Sequence, residues 1–317
     1  MDQTRPQVAG LGVLVTGAGG FIGARVTHDL ATAGAKVTRL LRSPAPRGTP
    51  PASGSHQADL LTADLEALLA TIAPQVILHC AGLTQAPETD AGRDALFAAN
   101  LTATERLLRA ARRMTHPPRL VLVSSAAIYA PMRDGQTAID ENHPMRPVAV
   151  YGVSKAAATM LALAEAERHS LDLAVAVPFN VIGPGQPAHM VPQVFIDHLR
   201  HDPASFALPS AEVIRDWIDV QDVSGALIAL ARPEGPRGLF NVSTGTGRSL
   251  RDLALRLCRI GGWTASSRAQ AAAATGVTKS VGDPGRLSAA LGWQARRSLD
   301  DSLRSMIEAR RQGSDTG

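Results

Sequence analysis

A short β-branched run, Gly12–Thr16 (GVLVT), leads straight into Gly17-Ala18-Gly19-Gly20-Phe21-Ile22-Gly23. Glycines 17, 20 and 23 are spaced G-x-x-G-x-x-G between that strand and a segment of helical periodicity. No other feature constrains the fold as strongly. A turn this tight needs backbone without Cβ atoms, and a helix start behind it aims free N–H groups at whatever sits on the turn. A pyrophosphate answers that description. A glycine motif alone is weak evidence. Its place after a strand, ahead of a helix and near the start of the chain makes it much stronger.

The rest of the chain alternates in the same way. Helical spacing over Gly23–Ala33 stops at Gly34, and Lys36–Leu41 reads as the next strand. Arg42–Ser55, rich in Pro, Gly and Ser, reads as loop. Helices are expected over Leu60–Thr71, Asp94–Thr115 and Val153–Ser170, and strands over Gln75–Cys80, Arg119–Ser124 and Leu173–Val177. These strands are continuous apolar runs, the mark of a parallel sheet covered on both faces. The expected fold class is α/β: a doubly wound parallel Rossmann sheet with a smaller, mostly helical C-terminal substrate lobe. Prolines 184, 187, 192, 203 and 209 break the pattern after Asn180, and helices return at Asp222–Ala231, Ser249–Ile260 and Leu299–Arg311. The boundaries follow: residues 1–178 plus about 216–243 for the dinucleotide-binding domain, and about 179–215 and 244–317 for the lobe.

Composition removes several classes. Cys80 and Cys258, the only cysteines, lie in apolar runs, so neither a disulfide framework nor a cysteine-based zinc site is expected, and no metal. No apolar stretch is long enough to span a membrane and the N-terminus has no apolar leader core, which makes cytoplasmic the default. Lys plus Arg number 32 against 28 Asp plus Glu, a net charge of +4. The densest basic runs, Arg109–Arg113 and Arg310–Arg311, read as solvated helix faces, so nucleic acid is not an expected partner. A mild positive field suits an anionic small molecule.

At the end of the second strand, Leu41-Arg42-Ser43 lacks the acid that would accept hydrogen bonds from the ribose of NAD. Arg42, with Arg39 nearby, suits a 2′-phosphate instead, so NADP(H) is favoured and NAD(H) stays open. Tyr151 and Lys155, in Tyr151-Gly152-Val153-Ser154-Lys155, fall one helical turn apart on one face. An ammonium beside a phenol lowers its pKa, and such a pair can move a proton at an alcohol or ketone oxygen.

With Val123-Ser124-Ser125-Ala126-Ala127-Ile128-Tyr129 upstream, nearly the whole chain resembles the extended short-chain dehydrogenase/reductase family, the nucleotide-sugar epimerase, dehydratase and ketoreductase group. Phe179-Asn180-Val181-Ile182-Gly183-Pro184-Gly185-Gln186 and Arg215-Asp216-Trp217-Ile218-Asp219 resemble its 4-keto-6-deoxyhexose reductases, the GDP-6-deoxy-4-ketomannose reductase type, more than its epimerases. The resemblance implies catalysis by Ser125 (rather than Ser124), Tyr151 and Lys155. It implies cofactor contacts from Gly17, Gly20, Phe21, Ile22, Gly23, Arg42, Asp59, Leu60, Ala81, Gly82, Asn100, Tyr151, Lys155 and Pro178. Substrate contacts would come from Thr84, Ser125, Asn180 and Arg215, the last to a phosphate. A homodimer, paired through a four-helix interface that includes Asp94–Thr115, is implied in the same way. His79 reads as a core residue.

Three departures matter. The dehydratases place acids directly after the catalytic hydroxyl, whereas this chain has Ala126 and Ala127. Val177 stands where the family usually has arginine, and Ala271–Ser280 offers Lys279 as its only cation, so diphosphate recognition is thinner than usual. The leading expectation is an NAD(P)-dependent oxidoreductase that interconverts keto and hydroxyl groups on a nucleotide-linked sugar. The alternatives are a C4 epimerase with tightly held NAD, a reductase of a non-nucleotide ketone, and a non-catalytic NADP-binding sensor, against which the full Ser-Tyr-Lys set argues.

Overall fold

The computed structural model describes residues 8–43, 53–209, 213–264, 266–270 and 277–314. In chain order the elements are β1 (Gly12–Thr16), α1 (Phe21–Thr32), β2 (Lys36–Leu41), β3 (Gly54–Gln57), α2 (Leu65–Ile72), β4 (Val76–His79), α3 (Asp90–Phe97), α4 (Ala103–Arg112), β5 (Arg119–Val123), α5 (Val150–His169), β6 (Leu173–Pro178) and β7 (Asn180–Ile182). There follow α6 (Val191–His201), β8 (Ala207–Pro209), β9 (Ile214–Asp219), α7 (Val220–Leu230), β10 (Gly238–Val242), β11 (Gly247–Ser249), α8 (Leu250–Gly261), β12 (Ser266–Gln270), β13 (Lys279–Ser280), α9 (Gly285–Leu291) and α10 (Leu299–Ser314).

Seven strands form one sheet in the order β10-β6-β5-β4-β1-β2-β3. Every pairing in it is parallel. Side chains alternate between its faces. Val13 and Val15 meet Val26 and Leu30 of α1 and Leu227 of α7, whereas Leu14 and Ile77 meet Leu69 of α2, Leu107 of α4 and Ala156 of α5. This is the doubly wound Rossmann arrangement, with helices on both faces. Burying both faces of these strands removes far more apolar area from water than a single-faced sheet could, at ~25 cal/mol per Å².

Several expected boundaries shift. Residues 54–55, read as loop, open β3, which pairs with β2 at the sheet edge. The long helix expected over 94–115 runs from Asp90 to Arg112, with α3 passing into α4 through a wide π-type turn over Ala98–Thr102. α5 starts at Val150, which puts Tyr151 in its first turn. Ser124, one residue past β5, is buried and bonds Thr159 of α5 at 2.7 Å.

The C-terminal third is less helical than expected. Strand β9 pairs with β7, β11 and β13 in a small second sheet, and β8 pairs with β12. A separate apolar core, including Ile182, Ile196, Trp217, Leu257 and Ile307, lies among β7, β9, α6, α8 and α10. Buried Asp219 ties α10 to this sheet, accepting from Ser302 at 2.6 Å and from Arg297 at 3.2 Å. Phe179 alone separates β6 of the large sheet from β7 of the small one. Its amide donates to Val242 at 3.0 Å and its ring stacks on Tyr129.

Candidate functional site

The glycine turn does what its spacing predicts. Gly17 has φ +65°, and a Cβ there would lie 2.6 Å from the Ala81 nitrogen. A Cβ on Gly23 would run into the Gly17 carbonyl oxygen, so glycine at 23 lets the helix pack this tightly on the turn, and glycine at 17 lets the turn pack on the backbone after β4. Gly20 caps α1 without any side-chain bond, which leaves the first amides of the helix free. Beside the turn opens a cavity of about 400 Å³. Gly17, Gly20, Arg42, Asp59, Leu60, Ala81 and Gly82 of the expected cofactor set line it. So does Leu83, which the resemblance places with Ala81 and Gly82 along the cofactor, and so do residues that sequence reasoning missed, including Thr16, Gly19, Ser43, Leu61 and Cys80. They flank the residues singled out by one position and carry no signal of their own.

The remaining expected contacts are not at that wall. Gly23 packs on Gly17, and Ile22 lies against the core. Phe21 faces the Gly185 turn, and Pro178 is buried at the end of β6. Asn100 is 1% exposed and its side chain is fully engaged with protein. Its Oδ1 accepts from the Leu83 amide at 2.8 Å, and its Nδ2 donates to the Leu83 carbonyl and to Ser154, both at 2.9 Å. Asn100 therefore pins the 81–83 segment to α5 rather than reaching a ligand. The π-type turn that carries it is a common device at functional sites.

A second corner lies at the C-terminal end of β5. Ser125 caps a short turn over Ala126–Ile128, accepting from the Ala127 amide at 3.2 Å. The start of α5 comes down on that turn so closely that a Cβ on Gly152 would meet the Ala127 carbonyl. That approach brings Tyr151 to Ser125. Burial pushes the Tyr151 phenol above its ordinary pKa, and a hydrogen bond with Ser125 pulls the other way. The lowering expected from Lys155 is not among the causes. The Lys155 ammonium lies beneath the corner and donates to the Val123 carbonyl at 2.6 Å. Its pKa is pushed down to about 8 by burial, with a weak opposing effect from Cys80. Burial likewise drives the Cys80 thiol up to about 12, so it is neutral at physiological pH.

His79 is a core residue, held between Thr16 at 2.7 Å and Thr104 at 3.0 Å. Tyr129, the other tyrosine, is buried and donates to Asn241 at 2.8 Å. Of the expected substrate contacts, Thr84 is exposed and Asn180 half-buried. The Arg215 guanidinium binds the backbone carbonyls of Ile214 (2.9 Å), Thr278 (3.3 Å) and Val277 (2.8 Å). Among the described residues no cluster of His, Cys, Asp or Glu could hold a metal ion. No helix there is long and apolar enough to cross a membrane.

The family model for the NAD dependent epimerase/dehydratase family matches residues 13–243, from β1 through β10. The chain belongs to that family. It is similar to the dTDP-6-deoxy-L-talose 4-dehydrogenase (NAD(P)(+)) of Kitasatospora kifunensis, at 30% identity over 96% of this chain and 98% of that one. It is also similar to the UDP-glucose 4-epimerase of Mycolicibacterium smegmatis, at 29% identity over 93% and 97%. Among solved structures, MoeE5 in complex with UDP-glucuronic acid and NAD superposes with a TM-score of 0.82 at 29% identity, covering 95% of this chain and 99% of that one. A nicotinamide dinucleotide is thus the cofactor class of this epimerase/dehydratase member. The glycine cradle and the cavity beside it fit such a group: the two positions nearest the turn admit no Cβ, and the helix amides behind them are free.

Proposed function

We propose that the chain is an NADP-preferring reductase that interconverts a keto group and a hydroxyl at the 4-position of a nucleotide-linked sugar. The observation that carries this reading is the corner where Tyr151 meets Ser125 over the buried Lys155, with alanine at both positions after Ser125. When bound, the reduced dinucleotide supplies hydride to the carbonyl carbon. Ser125 orients the carbonyl oxygen through its hydroxyl. Tyr151, whose pKa burial raises, is protonated at neutral pH and delivers its proton to that oxygen as the negative charge develops. Lys155 fixes the corner to the end of β5 through Val123. Ala126 and Ala127 offer no acid or base for removing water, so this corner lacks the groups that dehydration needs.

NADP preference rests on Arg42 and Ser43, which line the cavity at the end of β2, a strand end without an acid of its own; Asp59, also in the lining, accepts from the Leu61 amide. The relative from Kitasatospora, named for NAD(P)(+) and for a 4-dehydrogenase, supports the same chemistry. Similarity to the mycobacterial 4-epimerase favours a second reading: a C4 epimerase that uses the same three residues twice with NAD retained. The two-lobe division is part of the proposal, with the core around Trp217 and Ile196 as the body of the substrate lobe. So is a homodimer through α5, where Val153 and Met160 are exposed.

Titrating the purified protein with NADPH and NADH, and recording its absorption as isolated, tests the reading. Free protein that binds NADPH at least about tenfold more tightly than NADH, the worth of one charge-assisted guanidinium–phosphate contact, is the expected result. Protein that arrives with NAD(H) bound and does not exchange it would establish the epimerase instead.

A further inference from the structure

Thr16 ends β1, His79 ends β4, and Thr104 lies in the first turn of α4. All three side chains are buried, and they are bonded in a row. The Thr16 hydroxyl lies 2.7 Å from Nδ1 of His79, and Nε2 of His79 lies 3.0 Å from the Thr104 hydroxyl. A hydroxyl has one proton to give. That of Thr104 goes to the Asn100 carbonyl at 2.6 Å, because a carbonyl only accepts. Toward His79, Thr104 is therefore an acceptor, and Nε2 must carry a hydrogen. Burial, with Lys155 adding to it, holds the ring neutral, so Nδ1 is bare and takes the Thr16 proton. The Thr16 oxygen in turn accepts from the Ala81 amide at 3.3 Å. One arrangement of protons satisfies the whole row.

Both ends of the row reach the candidate site. At one end, Ala81 belongs to the wall of the cavity beside the glycine turn. At the other, Asn100 holds Leu83, farther along the same wall, and donates to Ser154 at 2.9 Å. The Ser154 hydroxyl donates to the Tyr151 carbonyl at 2.8 Å. The wall is thus gripped at residue 81 through Thr16 and at residue 83 through the turn that Thr104 bonds. His79 is the strut between the two grips. Neither His79 nor Thr104 lines the cavity itself.

We propose that His79, held as the Nε2–H tautomer, is a positioning residue of the dinucleotide site, fixing wall residues 81–83 against α4 and the start of α5. A neutral imidazole accepts on one edge and donates on the other across a rigid ring, so the two hydroxyls are kept at a set span. Small displacements of a binding wall are costly to a ligand that needs exact placement. The dinucleotide class alone enters here, and the identity of the sugar does not.

Dinucleotide titration and denaturant unfolding of the wild type, Thr104→Val and Thr104→Ser test this, using whichever of NADPH and NADH the wild type binds more tightly. Thr104→Val leaves Nε2–H without its acceptor and the Asn100 carbonyl without that donor. It should weaken the dinucleotide about threefold to tenfold, the worth of one hydrogen bond, while Thr104→Ser, which keeps the hydroxyl, binds within about twofold of wild type. The denaturant midpoint of Thr104→Val should fall whether or not the wall depends on the row, so affinity decides. A destabilised Thr104→Val that binds less than about threefold more weakly than wild type reduces the row to core packing and overturns the proposal. A serine variant as weak as the valine one overturns it too. Should Thr104→Val fail to fold, nitrogen NMR of the wild-type histidine rings decides, with His79→Gln identifying the signal among nine histidines. The hydrogen must be on Nε2, and both ring-nitrogen signals must shift when the dinucleotide binds. A hydrogen on Nδ1, or a ring whose signals ignore the dinucleotide, overturns the assignment.

Discussion

The glycine turn at residues 17–23 and the corner where Ser125 meets Tyr151 solve one problem by different means. Each brings a helix start against the end of a central strand, and each relies on a glycine whose Cβ would strike a backbone carbonyl or amide: Gly17 and Gly23 in the first, Gly152 in the second. Beyond that they diverge. The turn is backbone alone, with no side chain capping α1. The corner is made of side chains whose protonation is set by burial, with Tyr151 pushed up and Lys155 pushed down to about 8. Shape can be encoded by glycine spacing, but the state of a proton depends on what the fold later packs around it.

That contrast can be broken at either end. Tyr151→Phe should lower turnover of a 4-keto nucleotide sugar by about 100- to 10,000-fold, the usual worth of a general acid. NADPH affinity should stay within about twofold of wild type, because the turn is untouched. A variant that keeps its turnover would sink the assignment of the corner. Gly17→Ala should do the reverse and weaken NADPH binding at least about tenfold. It should also cost about 1–3 kcal/mol of stability, read as a lower denaturant midpoint, since it adds a clash to a left-handed backbone. Gly135→Ala is the matched control: its φ is +79° but nothing lies within 4 Å of a new Cβ, so it should show strain without loss of cofactor.

The smallest effect is one of pH. Burial, with Lys155 adding to it, holds His79 down at about 3, from 6.5. Its folded pKa lies below its unfolded one, so the unfolded chain takes the proton first as pH falls. The associated stability is fully present above pH 6.5 and is lost as pH falls toward 3, at up to ~1.4 kcal/mol per pH unit. His79→Gln should flatten that slope in denaturant midpoints measured at pH 7 and 5.5. An unchanged slope would place the acid sensitivity elsewhere.

Much of the frame was readable in the residues. β1, the glycine turn and the buried strands announce themselves because burial on both faces demands continuous apolar runs. Ser125 was separable from Ser124 only by resemblance, and the structure supplies a physical difference: Ser124 is turned inward to Thr159, while Ser125 stays half-exposed beside Tyr151. β3 was not readable, because GSHQ is a short, polar edge strand with no apolar signal. The π-type turn between α3 and α4 was not readable either. It goes with bonds from Asn100 to Leu83 and Ser154, residues distant in sequence, and helical periodicity carries no trace of them. Strands in the C-terminal third are two to six residues long, too short to show a period of two.

The passage from β6 to β7 through Phe179 has a mechanical consequence. Domain closure needs a few residues free to absorb large changes in φ and ψ. Here the crossing between sheets is one buried residue, tied by its amide to β10 and stacked on Tyr129. A crossing this short and this firmly tied leaves no free residue between β6 and β7 on which the two sheets could hinge.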